Sequence, residues 1–323
     1  MKHIFVVNPK AGGEDSSEYI AEKLKDIEAG AEMYVTREPR DATRYVAERC
    51  AAAGGEALRF YACGGDGTLN EVVSGVMDYV DKLIRSRNDI STYQHINVST
   101  SIEVGCYPCG SGNDYVKCWP EADFTDMRAL MGGQSVPVDV MRVGDRYCIN
   151  TLNFGFEAEV CRTMADVRRV PLVGGRMAYT TGIVKSLATS RKNYCRVAVD
   201  GQPWFDGDML LASLANGTYA GGGYKCAPRA VNDDGLLEVM TIRPLSIKRF
   251  AQLIKHYERG EHLDLPELKG TVSYCRGRQV VIESDAPFYI ATDGELIEGT
   301  RFEVECLQKA IKFIVPMMGK LRS

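Results

Sequence analysis

Three times before residue 116, an apolar run that reads as a strand ends in a glycine-bent turn. The turns are "VNPKAGG" (7–13), "CGGDGTLNE" (63–71) and "YPCGSGNDY" (107–115). "HIFVVN", "AEMYVT", "ALRFYAC" and "IEVGCYP" have strand character. Between them lie helical spacings: "SSEYIAEKLKDIEAG" with Ser16 or Asp15 as cap, "DATRYVAERCAAAGG" ending in glycines, and Asn70 to about Ile84. Strands alternating with helices predict a parallel sheet with right-handed crossovers, which brings all three turns to one carboxyl edge. Glycines at that edge let backbone bend sharply and turn N–H groups toward an anion, with phosphate the natural guest. Neither G-x-x-x-x-G-K-[ST] nor a G-x-G-x-x-G after the first strand is present, which excludes a P-loop enzyme and a standard dinucleotide fold.

Beyond about residue 138 the pattern changes. Short alternating segments ("DVMRV", "RYCINTLNFGFEAEV", "CRVAVDG", "DMLLASLANG", "LLEVMTI", "RQVVIES", "FEVEC") are separated by Gly, Asp and Asn turns, as in an antiparallel sheet or sandwich. Helical stretches at 174–190 and 246–259 interrupt it, and "KAIKFIVPMMGKL" reads as a terminal helix. The chain's 323 residues exceed one ordinary core. The expected architecture is an α/β, Rossmann-like N-terminal domain with a parallel sheet (1–138, completed by about 306–323) and a β-rich, sandwich-like domain (139–305).

The net charge of −4 argues against a nucleic-acid binder held by bulk electrostatics. The eleven cysteines, scattered behind a start without signal-peptide layout, fit free thiols in a reducing cytoplasm. Cys106 and Cys109 have metal-like spacing but no second close pair, so loop and core thiols compete with zinc. No apolar run approaches the roughly 20 residues needed to cross a bilayer.

"GGDGTLNEV", preceded by "NP" and followed by "PCGSGND", resembles the catalytic domain of the diacylglycerol kinase and sphingosine kinase superfamily, and within it the soluble bacterial lipid kinases. "NFGFEAEV", "GRMAYTTG", "LANGTYAGGGYKCAPRAVNDDGLLEV" and "DGELIEG" resemble later blocks of those proteins in the same order, so the similarity runs nearly end to end. GGDGT alone also marks NAD kinases and phosphofructokinases; the later blocks separate these families.

The resemblance implies a two-domain lipid kinase using ATP and Mg²⁺. Asp66 is then a metal position within the nucleotide site, and Gly64, Gly65, Gly67 and Thr68 line that site. Asn8, Gly110, Ser111, Gly112, Asn113 and Asp114 line the same pocket. Asp114 and Asp139 are further acidic positions that organise the metal through water; Asp139 reads equally as a solvated strand-edge carboxylate. Asp293 would be the general base, in a site formed between the domains, with Glu295 assisting; from spacing alone, Asp293-Gly294 is a hairpin turn. A second, structural Mg²⁺ would be held by Asp234 and the carbonyls of Val231 and Leu236, against the alternative of an ion-free Asx turn. The third loop departs from the family's Gly-Thr-x-Asn-Asp in having Ser111, which keeps the hydroxyl.

Residues 162–192 carry Arg162, Arg168, Arg169, Arg176, Lys185, Arg191 and Lys192 against one acid, Asp166. That segment suits an anionic membrane surface or a solvated helix face. The expected acceptor is a membrane lipid hydroxyl, diacylglycerol first, met by peripheral contact at the inner face of the membrane. Sphingoid or ceramide-like lipids, NAD, or a non-catalytic sensor on the same fold are the alternatives. The 85–101 excursion bears on nucleoside choice or on a homodimer.

Overall fold

The computed structural model describes residues 1–27, 30–87, 101–167 and 192–316. The chain divides into two compact units: Met1–Val140 with Asp233–Gly235 and Leu307–Ser323, and Met141–Asn232 with Leu236–Cys306.

In the first unit, strands β1 (Lys2–Val7), β2 (Glu32–Val35), β3 (Leu58–Gly64) and β4 (Ile102–Pro108) pair in parallel in the order β2-β1-β3-β4. Helices α1 (Ser17–Lys25), α2 (Asp41–Ala52) and α3 (Asp66–Arg87) make the crossovers, and a short α4 (Met127–Met131) follows β4. Ile4, Phe5, Val6, Val7 and Phe60–Cys63 are buried on both faces of the sheet. That is why these strands read as continuous apolar runs rather than alternating ones. From α3, Leu69, Val72, Val73, Val76, Met77 and Val80 fill the space against them. α2 crosses α3 at Gly75, where a Cβ would stand 2.6 Å from Thr43 O and 2.7 Å from Val46 Cβ. Only glycine permits that approach.

The second unit is antiparallel. Strands β7 (Thr151–Gly155), β10 (Leu211–Ala215), β11 (Leu237–Ile242), β12 (Val272–Gly277), β13 (Gln279–Thr292) and the first part of β14 (Glu295–Val315) run in the order β12-β11-β10-β7-β13-β14. The hairpin β8 (Asn193–Val199) and β9 (Gln202–Met209) joins through β13. The end of β5 (Gln134–Val143) pairs with β6 (Arg146–Cys148). One apolar cluster joins Leu152, Phe154, Leu214, Val239, Ile282 and Phe302. A second gathers under α5 (Phe156–Val167) and α6 (Ile247–Arg259) around Phe156, Phe250 and Tyr257.

Three expectations are corrected. The segment from Lys309 is not a helix: β14 continues to Val315, with Phe313 beside Val104 in a parallel pair. Ala310, Ile311, Phe313 and Ile314 are all buried, and a short run buried on both faces has no period that separates strand from helix. "FEAEV" is not strand either. Gly155, at φ 75°, ends β7 and α5 begins at Phe156, although Phe156, Ala158 and Val160 are buried in an alternation that mimics a strand. Finally, α3 begins at Asp66 rather than Asn70, so the second turn is helix from its aspartate onward. The expected helix at 174–190, most of the 162–192 basic segment and "GRMAYTTG" lie outside the described residues, as does 88–100 of the excursion.

His262 is buried beside Tyr257, and burial lowers its pKa from 6.5 to about 4, with Asp264 and Arg229 acting in opposite directions on it. The unfolded chain therefore binds the proton first as pH falls. This contribution is complete above 6.5 and is lost on the way down to about 4. Replacing His262 by Gln is expected to flatten the acid limb of stability in that window, measured as urea midpoints against pH.

Candidate functional site

At the carboxyl edge of the first unit's sheet, the three glycine loops touch one another. Asn8 closes β1, its N–H on Cys63 O (3.0 Å), its Nδ2 donating to Thr68 Oγ1 (3.0 Å) and its Oδ1 accepting the Lys10 N–H (3.0 Å). A Cβ on Gly12, at φ 75°, would lie 2.2 Å from Cys109 O. The N–H groups of Cys109 and Gly110 both donate to Gly64 O (2.9 and 3.1 Å). A Cβ on Gly110 would come within 2.3 Å of Gly65 Cα, and one on Gly64 within 2.2 Å of Thr68 Oγ1. Gly12 and Gly110 are thus required by backbone meeting backbone and Gly64 by the Thr68 side chain, whereas Gly67, which the sequence grouped with Gly64 and Gly65, meets nothing. Gly110→Ala is expected to push the second and third loops apart and weaken nucleotide binding by about tenfold or more. Gly67→Ala, with nothing within 4 Å, is expected to leave thermal stability unchanged; titration with a fluorescent nucleotide and a melting curve check both.

Asp66 ties the second loop to the third. Its Oδ1 accepts the N–H groups of Asp114 (2.7 Å) and Tyr115 (3.0 Å). Burial, and secondarily the charge of Asp114, raise its pKa, while those two N–H groups and Lys117 oppose the rise. Lys117 Nζ reaches Asp114 Oδ1 (2.5 Å) and Gly112 O (3.0 Å). Asn113 sits at φ 51° and closes the loop on itself, its Oδ1 accepting the Gly110 N–H and its Nδ2 donating to Gly110 O. Ser111 is exposed at the tip. Asn70, on the first turns of α3, keeps a buried Oδ1 without a donor among the described residues.

Among the described residues, no three His, Cys, Asp or Glu side chains are arranged to hold a metal ion. Asp66, Asp114 and Asp139 are accordingly not gathered into one set, and the Cys106–Cys109 pair acquires no further ligands. The adjacent carboxylates of Asp66 and Asp114 do fit a cation that takes one or two protein oxygens and fills its remaining positions with phosphate and water. Asp139 is fully buried: its Oδ2 accepts the Gly235 N–H (2.6 Å) and its Oδ1 the Lys309 N–H (2.7 Å). It is a latch between distant segments rather than a solvated strand-edge acid. Asp234 precedes the latched Gly235, Val231 is exposed and Leu236 half-buried.

A fourth loop at this edge escaped the sequence reading because it carries no glycine. β2 lies beside β1, so the turn after Val35 shares the rim. Asp41, fully buried, accepts from Arg37, Arg44 and Tyr34. Arg40, at φ 65°, and Ala42 donate their N–H groups to Glu71 (3.0 and 3.3 Å). The last residue of "GGDGTLNE" therefore holds this loop.

In the second unit, Asp293 occupies the β13–β14 turn at φ 46°. Its carboxylate accepts the N–H groups of Ile149 (2.8 Å), Asn150 (3.2 and 3.3 Å) and Thr151 (2.9 Å). Cys148, buried beside it, donates to Thr151 O (3.2 Å). Glu295, two residues on, is 41% exposed and pairs with Arg146 at 3.1 Å.

The diacylglycerol kinase catalytic domain family matches residues 2–143, and the YegS C-terminal NAD kinase beta sandwich-like domain family matches 150–315, just over half of the chain. The chain belongs to the YegS-like family. A "Probable lipid kinase YegS-like" of Chromohalobacter salexigens is 30% identical over 305 residues, covering 88% of each chain. Another, from Serratia proteamaculans, is 28% identical across 99% of this chain and 97% of its own. Among solved structures, a putative diacylglycerol kinase from Bacillus anthracis superposes with a TM-score of 0.69 at 21% identity over 97% of this chain and 96% of its own, a likeness of fold. The YegS-like assignment covers both units, α/β first and β-rich second, as the sequence led one to expect. No helix among the described residues is long and apolar enough to cross a membrane.

Proposed function

We propose that this YegS-like chain is an ATP- and Mg²⁺-dependent kinase that phosphorylates a lipid hydroxyl, with diacylglycerol as acceptor and phosphatidic acid as product. The observation that carries the reading is the contact of three glycine loops through Gly12, Gly65 and Gly110, with the carboxylates of Asp66 and Asp114 beside them. Such a rim offers backbone N–H groups to a polyphosphate and oxygens to its counter-ion. Mg²⁺ would neutralise charge on the phosphates, held by Asp66 and Asp114; Asp234 with the Val231 and Leu236 carbonyls would hold a structural ion.

In the reaction the acceptor oxygen bonds to the γ-phosphorus as the β,γ-bridging bond breaks, ADP departs, and the hydroxyl proton passes to a carboxylate. We assign that carboxylate to the Asp293–Gly294–Glu295 turn. Asp293 is the first candidate. A specific observation favours Glu295 as the second: the oxygens of Asp293 already accept three N–H groups, whereas the Glu295 carboxylate is half-exposed and pairs, among the described residues, with the Arg146 guanidinium.

The deciding assay incubates labelled ATP and Mg²⁺ with diacylglycerol in mixed micelles, expecting labelled phosphatidic acid. Label on a sphingoid lipid or NAD instead would change the acceptor, and label on nothing in a lipid extract would favour a sensor. For peripheral membrane contact at the cytoplasmic face, the basic 162–192 segment is the proposed contributor. Sedimentation with anionic vesicles should exceed that with neutral ones and fall with salt.

A further inference from the structure

The loop Ile149–Thr151 is gripped on both sides. Its three N–H groups point at Asp293. Its carbonyls are taken elsewhere: Ile149 O accepts from Asn216 Nδ2 (2.8 Å), Asn150 O from the N–H groups of Asn216 (2.9 Å) and Gly217 (3.2 Å), and Thr151 O from the Asp293 N–H (3.0 Å). The backbone of this loop is fully accounted for.

The side chain of Asn150 is not. It is 3% exposed, and its Nδ2 donates to Tyr219 O at 2.9 Å. That bond fixes the amide's orientation, because the flipped amide would set two carbonyl oxygens against each other. Among the described residues, the Oδ1 is then buried without a donor. Native folds keep few such atoms, since an unmet buried acceptor loses its water and gains nothing in return. It lies on the residue whose own N–H already reaches Asp293.

Resting on the reading that the Asp293–Glu295 turn meets the acceptor alcohol, we propose that Asn150 contacts the acceptor: its side-chain carbonyl accepts the hydrogen bond of the reacting hydroxyl. Asp293 shares its two oxygens among three N–H donors, whereas no donor among the described residues meets Asn150 Oδ1. The bond turns the hydroxyl's lone pair toward the γ-phosphorus before transfer. As the new O–P bond forms and the β,γ-bridging bond breaks toward ADP, the proton leaves Asn150 for the turn's carboxylate, because a neutral amide does not retain it. A loose transition state permits so late a proton transfer. The acceptor class is therefore an alcohol recognised through its O–H, and an ether or deoxy lipid of the same shape is rejected.

The test compares wild type, Asn150→Ala and Asn150→Asp by calorimetric titration with a short-chain diacylglycerol and with its deoxy counterpart, both in neutral detergent micelles. Wild type should bind the alcohol about tenfold or more tightly than the deoxy lipid; Asn150→Ala should lose most of that preference; Asn150→Asp, which keeps an oxygen acceptor but sets its second oxygen against Tyr219 O, should retain only part of it. ATP affinity should be equal in all three. If the alanine variant does not fold, Asn150→Leu, of similar shape and without an acceptor, takes its place. An unchanged preference in the alanine or leucine variant means that internal water alone satisfies Oδ1 and overturns the proposal, as does a wild type without preference. Failure of the underlying reading looks different: the preference and its loss are seen, yet Asp293→Asn and Glu295→Gln both phosphorylate the lipid at the full rate.

Discussion

Glu295→Gln is expected to lower kcat for the lipid acceptor by about 10²–10⁴-fold, the usual reach of a general base, while the KM for ATP and the melting temperature stay near wild type. Asp293→Asn should lower kcat as strongly but also destabilise the second unit. Its amide nitrogen would have to face N–H groups that now meet oxygen, leaving donors at Ile149–Thr151 unmet. The paired measurement, initial rate and thermal melt, separates a base from a brace. Full rate in Glu295→Gln with loss in Asp293→Asn assigns the proton to Asp293 alone, the first candidate. Full rate in both removes the turn from the chemistry.

The second large effect is on stability. Asp139→Ala strips the first unit of a fully buried carboxylate that accepts the Gly235 and Lys309 N–H groups. At roughly 1.5–3 kcal/mol for each charge-assisted bond, the loss should reach about 3 kcal/mol or more. That corresponds to a fall in Tm of roughly 6 °C or more for a unit of this size. Asp139→Asn, able to accept through one oxygen only, should fall between. Calorimetry decides between two roles: lost activity with an undisturbed melt would restore Asp139 to the metal site expected from the resemblance.

Asp66 carries a smaller prediction of opposite sign. Its pKa is raised in the folded chain, so the folded state holds this proton more tightly, and stability falls as pH rises from the ordinary carboxylate range through the raised value. Asp66→Asn keeps an oxygen for the N–H groups of Asp114 and Tyr115. It is expected to raise Tm at neutral pH while abolishing metal-dependent nucleotide binding, the trade expected of a strained functional group.

What could be read from the sequence follows the range of the interaction. Gly64, Gly65 and Gly110 announce themselves because a bend leaves a local mark in composition. The chemistry of Asp293 could be reached only through resemblance: its partners at Ile149, Asn150 and Thr151 lie 142–144 residues away, and nothing near "TDG" encodes them. Asp139 is the same case, its partners 96 and 170 positions distant. The loop of Arg40 stayed hidden because a strained arginine stands where a glycine would have signalled the turn. The closing strand reads as helix in the sequence because burial on both faces erases periodicity.

That closing strand has a consequence for biosynthesis. Val104 and Asp139 emerge from the ribosome long before Phe313 and Lys309, the residues that cover and bolt them. The N-terminal half must wait, one sheet edge bare, through translation of nearly the whole β-rich insert. A nascent chain halted at the end of the catalytic-domain match should expose that edge to chaperones or to like strands of neighbouring chains.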